Sequence, residues 1–189
     1  MPLALSWKCF LAAPCVCMLV CMCARLFVHA LAQIVCGLNY LHTLEPFPVG
    51  HLDLKPGNVL LTACGSAKLT DFGLAAELKG QVGLCGTEGY RPPEVCGKHR
   101  SCTLRAAADV WAFACIMVCV LAWGGDPYPL FPGTGKEVDE AVRKGELRRV
   151  SEPDELTRIC MGCSDELHWQ RWSSGQACRA LDTYMRTLS

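Results

Sequence analysis

An Asp, a Lys and an Asn stand within six positions of one another in HLDLKPGNVLL, residues 51–61, as Asp53, Lys55 and Asn58. Their side chains have complementary chemistry. A carboxylate can accept the proton of an attacking hydroxyl. An ammonium on a flexible stem can sit against a phosphate as a point charge. An amide oxygen is a hard ligand of the kind Mg²⁺ takes. Thirteen residues past Asn58 comes DFG, whose Asp71 offers a second hard oxygen ligand. Moving a phosphoryl group needs positioning and charge neutralisation more than covalent help, and these four residues supply those parts. Taken singly, each has a duller reading. His51 could be a satisfied core histidine, Asp53 a helix cap and Lys55 a solvated charge. None of these accounts for the three polar groups together with Asp71 downstream.

Such groups need elements to hold them. Val59-Leu60-Leu61 and Lys68-Leu69-Thr70 read as short β runs joined by the turn-like ACGSA. That hairpin would fold Asp71 back beside Asn58. Upstream, Leu31, Ile34, Val35, Leu38 and Leu41 recur at helical spacing and predict a long helix from about Cys23 to His42, stopped by Pro46 and Pro48. Downstream, a Gly-rich loop runs to Pro92-Pro93. Asp109 then stands at the start of VWAFACIMVCVLAW, which is apolar on every side, so this helix must be buried at the centre. Gly124, Gly125 and Pro127 end it. Residues 135–147 read as a charged surface helix, and 154–163 and 174–187 as two more helices. The expected fold class is mainly α: a helical bundle around a central buried helix, with short β hairpins at the cleft.

Composition bounds the rest. At 189 residues the chain can bury one good core. Its formal net charge is zero, so no strong field draws it to nucleic acid. It is 51% hydrophobic with a mean hydropathy of +0.23, which excludes a disordered chain. The 15 cysteines are an odd count, against a complete set of internal disulfides. Cys115 and Cys119 lie in one apolar run and Cys15, Cys17, Cys21 and Cys23 in another, so the cysteines read mainly as free, core-filling thiols. CMGCSDELH holds a C-x-x-C (Cys160, Cys163, with His168), but no second pair follows at zinc-finger spacing. Between Lys8 and Arg25 lie sixteen uncharged residues. As a helix they would span about 24 Å, short of the roughly 30 Å hydrocarbon core, and Pro14 interrupts them. The preferred reading is a buried helix of a cytoplasmic protein, with secretory or membrane targeting as the lesser alternative.

The motifs in their order resemble the large C-terminal lobe of a eukaryotic protein kinase. HLDLKPGNVLL is similar to the catalytic loop H-R-D-L-x-x-x-N, with Leu52 in place of the Arg. DFG is similar to the metal-binding triplet. GTEGYRPPE resembles the end of the activation segment, with Pro92-Pro93-Glu94 for Ala-Pro-Glu. DVWAFA resembles D-x-W-x-x-G at the start of the central helix, with Ala114 for Gly, and WQRWS the Arg-bearing stretch near the domain's end. Order and spacing agree from about residue 28 to 185. The division implied is 1–22, an unassigned apolar segment, and 23–189, a kinase domain of one lobe. HLDLKP is also seen in Mos-like and mixed tyrosine-kinase-like branches.

Carried over by position, the resemblance implies that Asp53 is the catalytic base and that Lys55 touches the γ-phosphate of ATP. Asn58 and Asp71 would hold Mg²⁺. Thr87 would bond Asp53 and Lys55 and shape the substrate groove. His51 would brace the Asp-Phe-Gly turn, Asp109 would anchor the catalytic-loop backbone, and Glu94 and Arg171 would form a buried ion pair. Lys55-Pro56 with Thr87 points to Ser or Thr hydroxyls on a protein substrate. Implied partners are that substrate, ATP and a regulatory protein, without nucleic acid or membrane. No G-x-G-x-x-G, no V-A-I-K strand and no partner helix glutamate stands ahead of these motifs. The small lobe that covers ATP is thus expected to be missing, which leaves a kinase lobe inactive or weakly active alone. The alternative is a catalytically silent, pseudokinase-like binding module.

Overall fold

Leu31, Ile34, Val35 and Leu38 line the buried face of the first helix, α1 (Met18–His42). Their spacing is the i, i+3, i+4, i+7 stripe of a helix with one face in a core. In the computed structural model, the described residues are 5–6, 18–79, 81–82, 86–96, 102–103, 106–121, 137, 140, 154–165 and 167–188. Helix α1 starts about five residues before the expected Cys23. Nothing in the sequence from Met18 to Cys23 breaks a helix, and Pro14 lies further upstream. At its other end the Thr43 hydroxyl donates to the Asn39 carbonyl at 2.8 Å, before Pro46 and Pro48.

A four-residue turn of helix, α2 (Pro93–Cys96), precedes the central helix α3 (Ala106–Leu121). Val110 to Ala114, Ile116, Met117 and Cys119 are all buried, and Cys115 and Val118 half-buried, so the middle of α3 lies within the core, as its uninterrupted apolar sequence requires. Helix α4 (Glu155–Cys163) packs against it, its N-terminus capped by Asp154, whose Oδ1 accepts the Thr157 N–H at 2.6 Å. Helix α5 (Ser174–Thr187) opens with a capping box between Ser173 and Gln176 and lies along α1. Glu137 and Glu140 are helical and exposed, and the rest of the expected 135–147 helix falls outside the described residues. So do Gly124, Gly125 and Pro127 after α3.

The strands are short and antiparallel. β1 (Leu5–Ser6), β3 (Val59–Leu61) and β4 (Ala67–Leu69) form one sheet in the order β1-β3-β4. β2 (Val49–Gly50) pairs with β5 (Ala76–Glu77), and β6 (Gln81–Val82) with β7 (Cys102–Thr103). In the β3–β4 hairpin Val59 faces Leu69, and the Ala67 N–H donates to Gln33 Oε1 of α1 at 2.6 Å, which fastens the hairpin to the helical layer. The described residues are thus mainly α with a few short strands.

One cysteine pair departs from the reading of free thiols. Cys36 of α1 and Cys178 of α5 form a disulfide, 142 residues apart in sequence. The helices that carry them pack side by side, a contact no local pattern announces. Cys115, Cys160 and Cys163 carry free thiols in or against the core, Cys119 is buried beside them, and burial pushes the Cys160 thiol up to about 12. Among the described residues, no helix is long and apolar enough to cross a membrane.

Candidate active site

Asp109, in the first turn of the central helix, fixes the loop that carries the polar triad. Its Oδ1 accepts the Leu52 N–H at 2.7 Å, and its Oδ2 accepts the His51 N–H at 2.8 Å. The same Oδ2 lies 2.8 Å from His42 Nε2 at the end of α1, and His42 Nδ1 lies 2.9 Å from the Ser174 hydroxyl at the start of α5. A single buried carboxylate therefore ties the loop to three helices. The two peptide bonds it receives sit at a strained place, because Leu52 has φ of 64°, the left-handed region that branched residues avoid. Charge-assisted bonds to both flanking N–H groups offset that cost. The Leu52 side chain is buried over Gly50. A Cβ at Gly50 would come within 2.8 Å of Leu78 and 2.9 Å of Leu52, so the glycine lets the two leucines meet. His51 is buried as well, with Nε2 3.0 Å from the Thr70 carbonyl and its ring 5.0 Å from that of Phe72.

Both oxygens of Asp53 are held. The Thr87 hydroxyl donates to Oδ1 at 2.6 Å, and Lys55 Nζ donates to Oδ2 at 2.7 Å. Lys55 Nζ also donates to the Thr87 hydroxyl at 2.8 Å, closing a three-membered ring of contacts. Asn58 Nδ2 donates to the Asp53 carbonyl at 2.8 Å and to Oδ2 at 3.1 Å. Burial opposes ionisation of Asp53. The hydrogen bonds from Lys55 and Thr87, the Lys55 charge and the Asn58 amide outweigh it and hold the carboxyl below its ordinary range. The result is a carboxylate that is ionised, oriented and close to a cation.

The β3–β4 hairpin returns the chain to this loop. The Thr70 N–H donates to the Asn58 carbonyl at 3.0 Å, so Asp71 follows directly beside Asn58. Asp71 has φ of 61° and caps the turn Phe72–Leu74, its Oδ1 accepting the Gly73 N–H at 3.4 Å. Its carboxylate is exposed. Asn58 spends its Nδ2 on Asp53, which leaves the amide oxygen for another partner. One exposed carboxylate and one amide oxygen are the hard donors that suit Mg²⁺, with water completing an octahedron.

The segment 86–96 forms the other wall. Gly86 has φ of 84°, and a Cβ there would lie 2.9 Å from the Leu52 carbonyl, so only glycine fits this approach to the loop. Arg91 donates to the Gly86 carbonyl from Nε at 3.0 Å and Nη2 at 2.7 Å. A cleft lined by Asp53, Thr87, Tyr90, Pro92 and Val95 runs between loop and segment. Below it, Arg171 pairs with Glu94 in a two-pronged bond, Nη1 to Oε1 at 2.8 Å and Nη2 to Oε2 at 3.1 Å. Arg171 also donates to the carbonyls of Asp165 and Ala107 and lies over the Trp111 ring at 5.0 Å.

The structure thus gathers Asp53, Lys55, Asn58 and Thr87 into one network, sets Asp71 beside it, and places His51, Asp109, Glu94 and Arg171 beneath. Sequence reasoning did not single out His42 and Ser174, which extend the Asp109 network to α5. His42 stands at the end of a helical stripe, where a polar residue ordinarily marks only a terminus, and its partner lies 67 residues away.

A family model described as the protein kinase domain matches residues 20–179. A probable cell division protein kinase of Encephalitozoon cuniculi is 32% identical over 165 residues, which cover 79% of this chain and 59% of that protein. The tyrosine-protein kinase SPK-1 of Girardia tigrina is 33% identical over 148 residues, 75% of this chain and 27% of that one. The mouse serine/threonine-protein kinase PLK2 is 41% identical over 98 residues, 49% of this chain and 13% of that one. The chain therefore spans less than two thirds of the length of each of these relatives.

Proposed function

Because this chain belongs to the protein kinase family, we propose that it is the C-terminal catalytic lobe of a serine/threonine kinase, which transfers the γ-phosphoryl group of ATP to protein hydroxyls. The observation that carries this reading is the Asp53 carboxylate, ionised and gripped on both oxygens by Lys55, Thr87 and Asn58 beside the exposed Asp71. Asp53 takes the proton of the attacking hydroxyl. Lys55, already within reach of Asp53 and Thr87, turns its ammonium to the transferring phosphate. Asn58 and Asp71 would hold Mg²⁺, which would supply neutralisation of the phosphate charge. Thr87 keeps Asp53 and Lys55 in register and edges the groove for the substrate. His51 and Asp109 fix the loop from below, and Glu94 with Arg171 holds the far wall.

Ser/Thr specificity rests on Lys55-Pro56 and Thr87, and on the likeness to a mouse serine/threonine-protein kinase. The Girardia tigrina relative is a tyrosine-protein kinase by name, so the accepting hydroxyl is the property to be tested. None of the 189 residues matches a phosphate-covering Gly-rich loop or the Lys that pairs the α- and β-phosphates. The chain by itself is accordingly inactive or weakly active. That same lack favours the second reading, a silent binding module.

One experiment separates the readings. Residues 20–189 are joined to a small lobe from a related kinase and assayed with Mg-ATP on peptides that differ only in carrying Ser, Thr or Tyr. Turnover on Ser and Thr is expected, with Asp53→Asn and Asp71→Ala each lowering kcat at least a hundredfold. Near-parental kcat in either variant would show that the assigned roles are wrong, and no turnover in the parent would favour the silent module.

A further inference from the structure

The disulfide between Cys36 and Cys178 sits at one end of a continuous path to the catalytic loop. The two Cα atoms are 5.6 Å apart, and Cys36 is exposed whereas Cys178 is half-buried. About one helical turn away, each helix presents a polar residue to the other. Ser174, four residues before Cys178, donates to Asn39 Oδ1 at 3.4 Å and lies 2.9 Å from His42 Nδ1. The approach is tight, since a Cβ on the neighbouring Gly175 would lie 3.0 Å from Asn39 Oδ1. His42 Nε2 reaches Asp109 Oδ2, and Asp109 holds the N–H groups of His51 and Leu52, the two residues just before Asp53. From Ser174 onward each link is a direct contact, the step from Cys178 to Ser174 runs along one turn of α5, and the last link restrains a backbone in the left-handed region.

We infer that Cys36–Cys178 is a thiol–disulfide exchange site whose opening loosens the catalytic loop through Ser174, His42 and Asp109, and that its co-reactant is a small thiol or dithiol. The step balances without further reagents. A small-molecule thiolate attacks the sulfur of Cys36, the more exposed of the two residues, a mixed disulfide forms there, and Cys178 leaves as a thiolate that takes up a proton. A second thiol, or the other arm of a dithiol, attacks the outer sulfur of the mixed disulfide and releases Cys36. Two electrons pass to the protein, which ends with two thiols, and the small molecule ends as its own disulfide. With the bond cut, the first turn of α5 is held to α1 by packing and the Ser174 contacts alone, so local opening there becomes more frequent. A reducing compartment would favour the open form and an oxidising one the closed form. The inference concerns the covalent state of the scaffold and stands whether or not Asp53 acts as a base.

Hydrogen exchange of the full chain, read by mass spectrometry at His51 and Leu52, tests this without any activity assay. The chain is compared as prepared in air and after treatment with dithiothreitol, with alkylation of Cys36 and Cys178 reporting the state of the bond. Dithiothreitol should make the two amides exchange at least about tenfold faster, while the β3–β4 amides change far less. Ser174→Ala should give the same acceleration with the bond intact, and thiol should add little to it. Unchanged exchange at His51 and Leu52 after proven opening of the bond would overturn the inference, as would an equal rise over the whole chain. Alkylation of both cysteines before any thiol is added would do so too. The comparison on the unmodified chain decides the matter if Ser174→Ala fails to fold.

Discussion

Arg171→Ala should destabilise the fold by about 3 kcal/mol, and the geometry gives the reason for that size. The Arg171 side chain is fully buried, and that of Glu94 is 21% exposed. The guanidinium makes two bonds to Glu94 and one each to the carbonyls of Asp165 and Ala107, and it covers the Trp111 ring. Breaking a fully buried pair costs about 3–5 kcal/mol, because the remaining charge stays without compensation. Glu94 keeps some access to water, which places the loss at the lower end of that range. In a chain of this size about 1 kcal/mol moves the melting midpoint by roughly 2–4 °C, so Tm should fall by about 6–12 °C. Thermal unfolding followed by circular dichroism, at one fixed thiol concentration, measures it. The double variant Arg171→Ala/Glu94→Ala should lose less than the sum of the single variants, since the second change removes the orphaned carboxylate. A midpoint within about 2 °C of the parent for Arg171→Ala, or strict additivity in the double variant, would refute the argument from burial.

Three further outcomes are expected. Calorimetric titration of the chain with Mg-ATP should show no micromolar site, because the sequence carries no G-x-G-x-x-G motif of the kind that covers the phosphates; a micromolar Kd would contradict this. Asp53 should make stability depend on acid. Its carboxyl lies below the ordinary value of 3.8, so its contribution is present in full above that value and is lost as pH falls through the folded-state pKa. Asp53→Asn should therefore flatten the acid fall in Tm below about pH 4, and equal acid slopes would show that the bonds to Asp53 give no net preference for the charged form. Finally, Leu74 to Gly86 contains no Ser, Thr or Tyr, and Leu52 cannot pair with an anion. Phosphatase treatment of a two-lobed enzyme carrying this segment should leave its activity unchanged, and a loss that tracks a phosphate on Thr87 or Tyr90 would overturn this.

The helices were legible where one physical rule dominates. The stripe Leu31, Ile34, Val35, Leu38 marks α1, and the unbroken apolar run after Asp109 marks α3, because burial on one face or on all faces writes itself into local sequence. The hairpin that sets Asp71 beside Asn58 was legible from two short β runs and a turn. The grouping of Asp53, Lys55 and Asn58 is visible by adjacency alone. Thr87 and the Glu94–Arg171 pair are different, since only the resemblance, and no spacing, connected them to anything. His42 with Asp109, and Cys36 with Cys178, stayed hidden for the same reason. Each is a contact between residues far apart in sequence, fixed by how whole helices pack, and neither partner carries a mark of the other. The left-handed backbone of Leu52 could not be read either, because a leucine advertises no such conformation.

The bond between Cys36 and Cys178 also decides how this chain would bear a load. A pull applied at residues 1 and 189 would run through the first 36 residues, cross the two sulfurs and leave through the last turns of α5. Once β1 is drawn off β3, everything from Gly37 to Ala177, with the loop, the hairpin and the central helix, would lie outside the covalent line of tension. At about 3.5 Å per extended residue, roughly 500 Å of contour would stay slack behind a single covalent shortcut. Cutting that shortcut would transfer the whole force, at once, onto the packed interior.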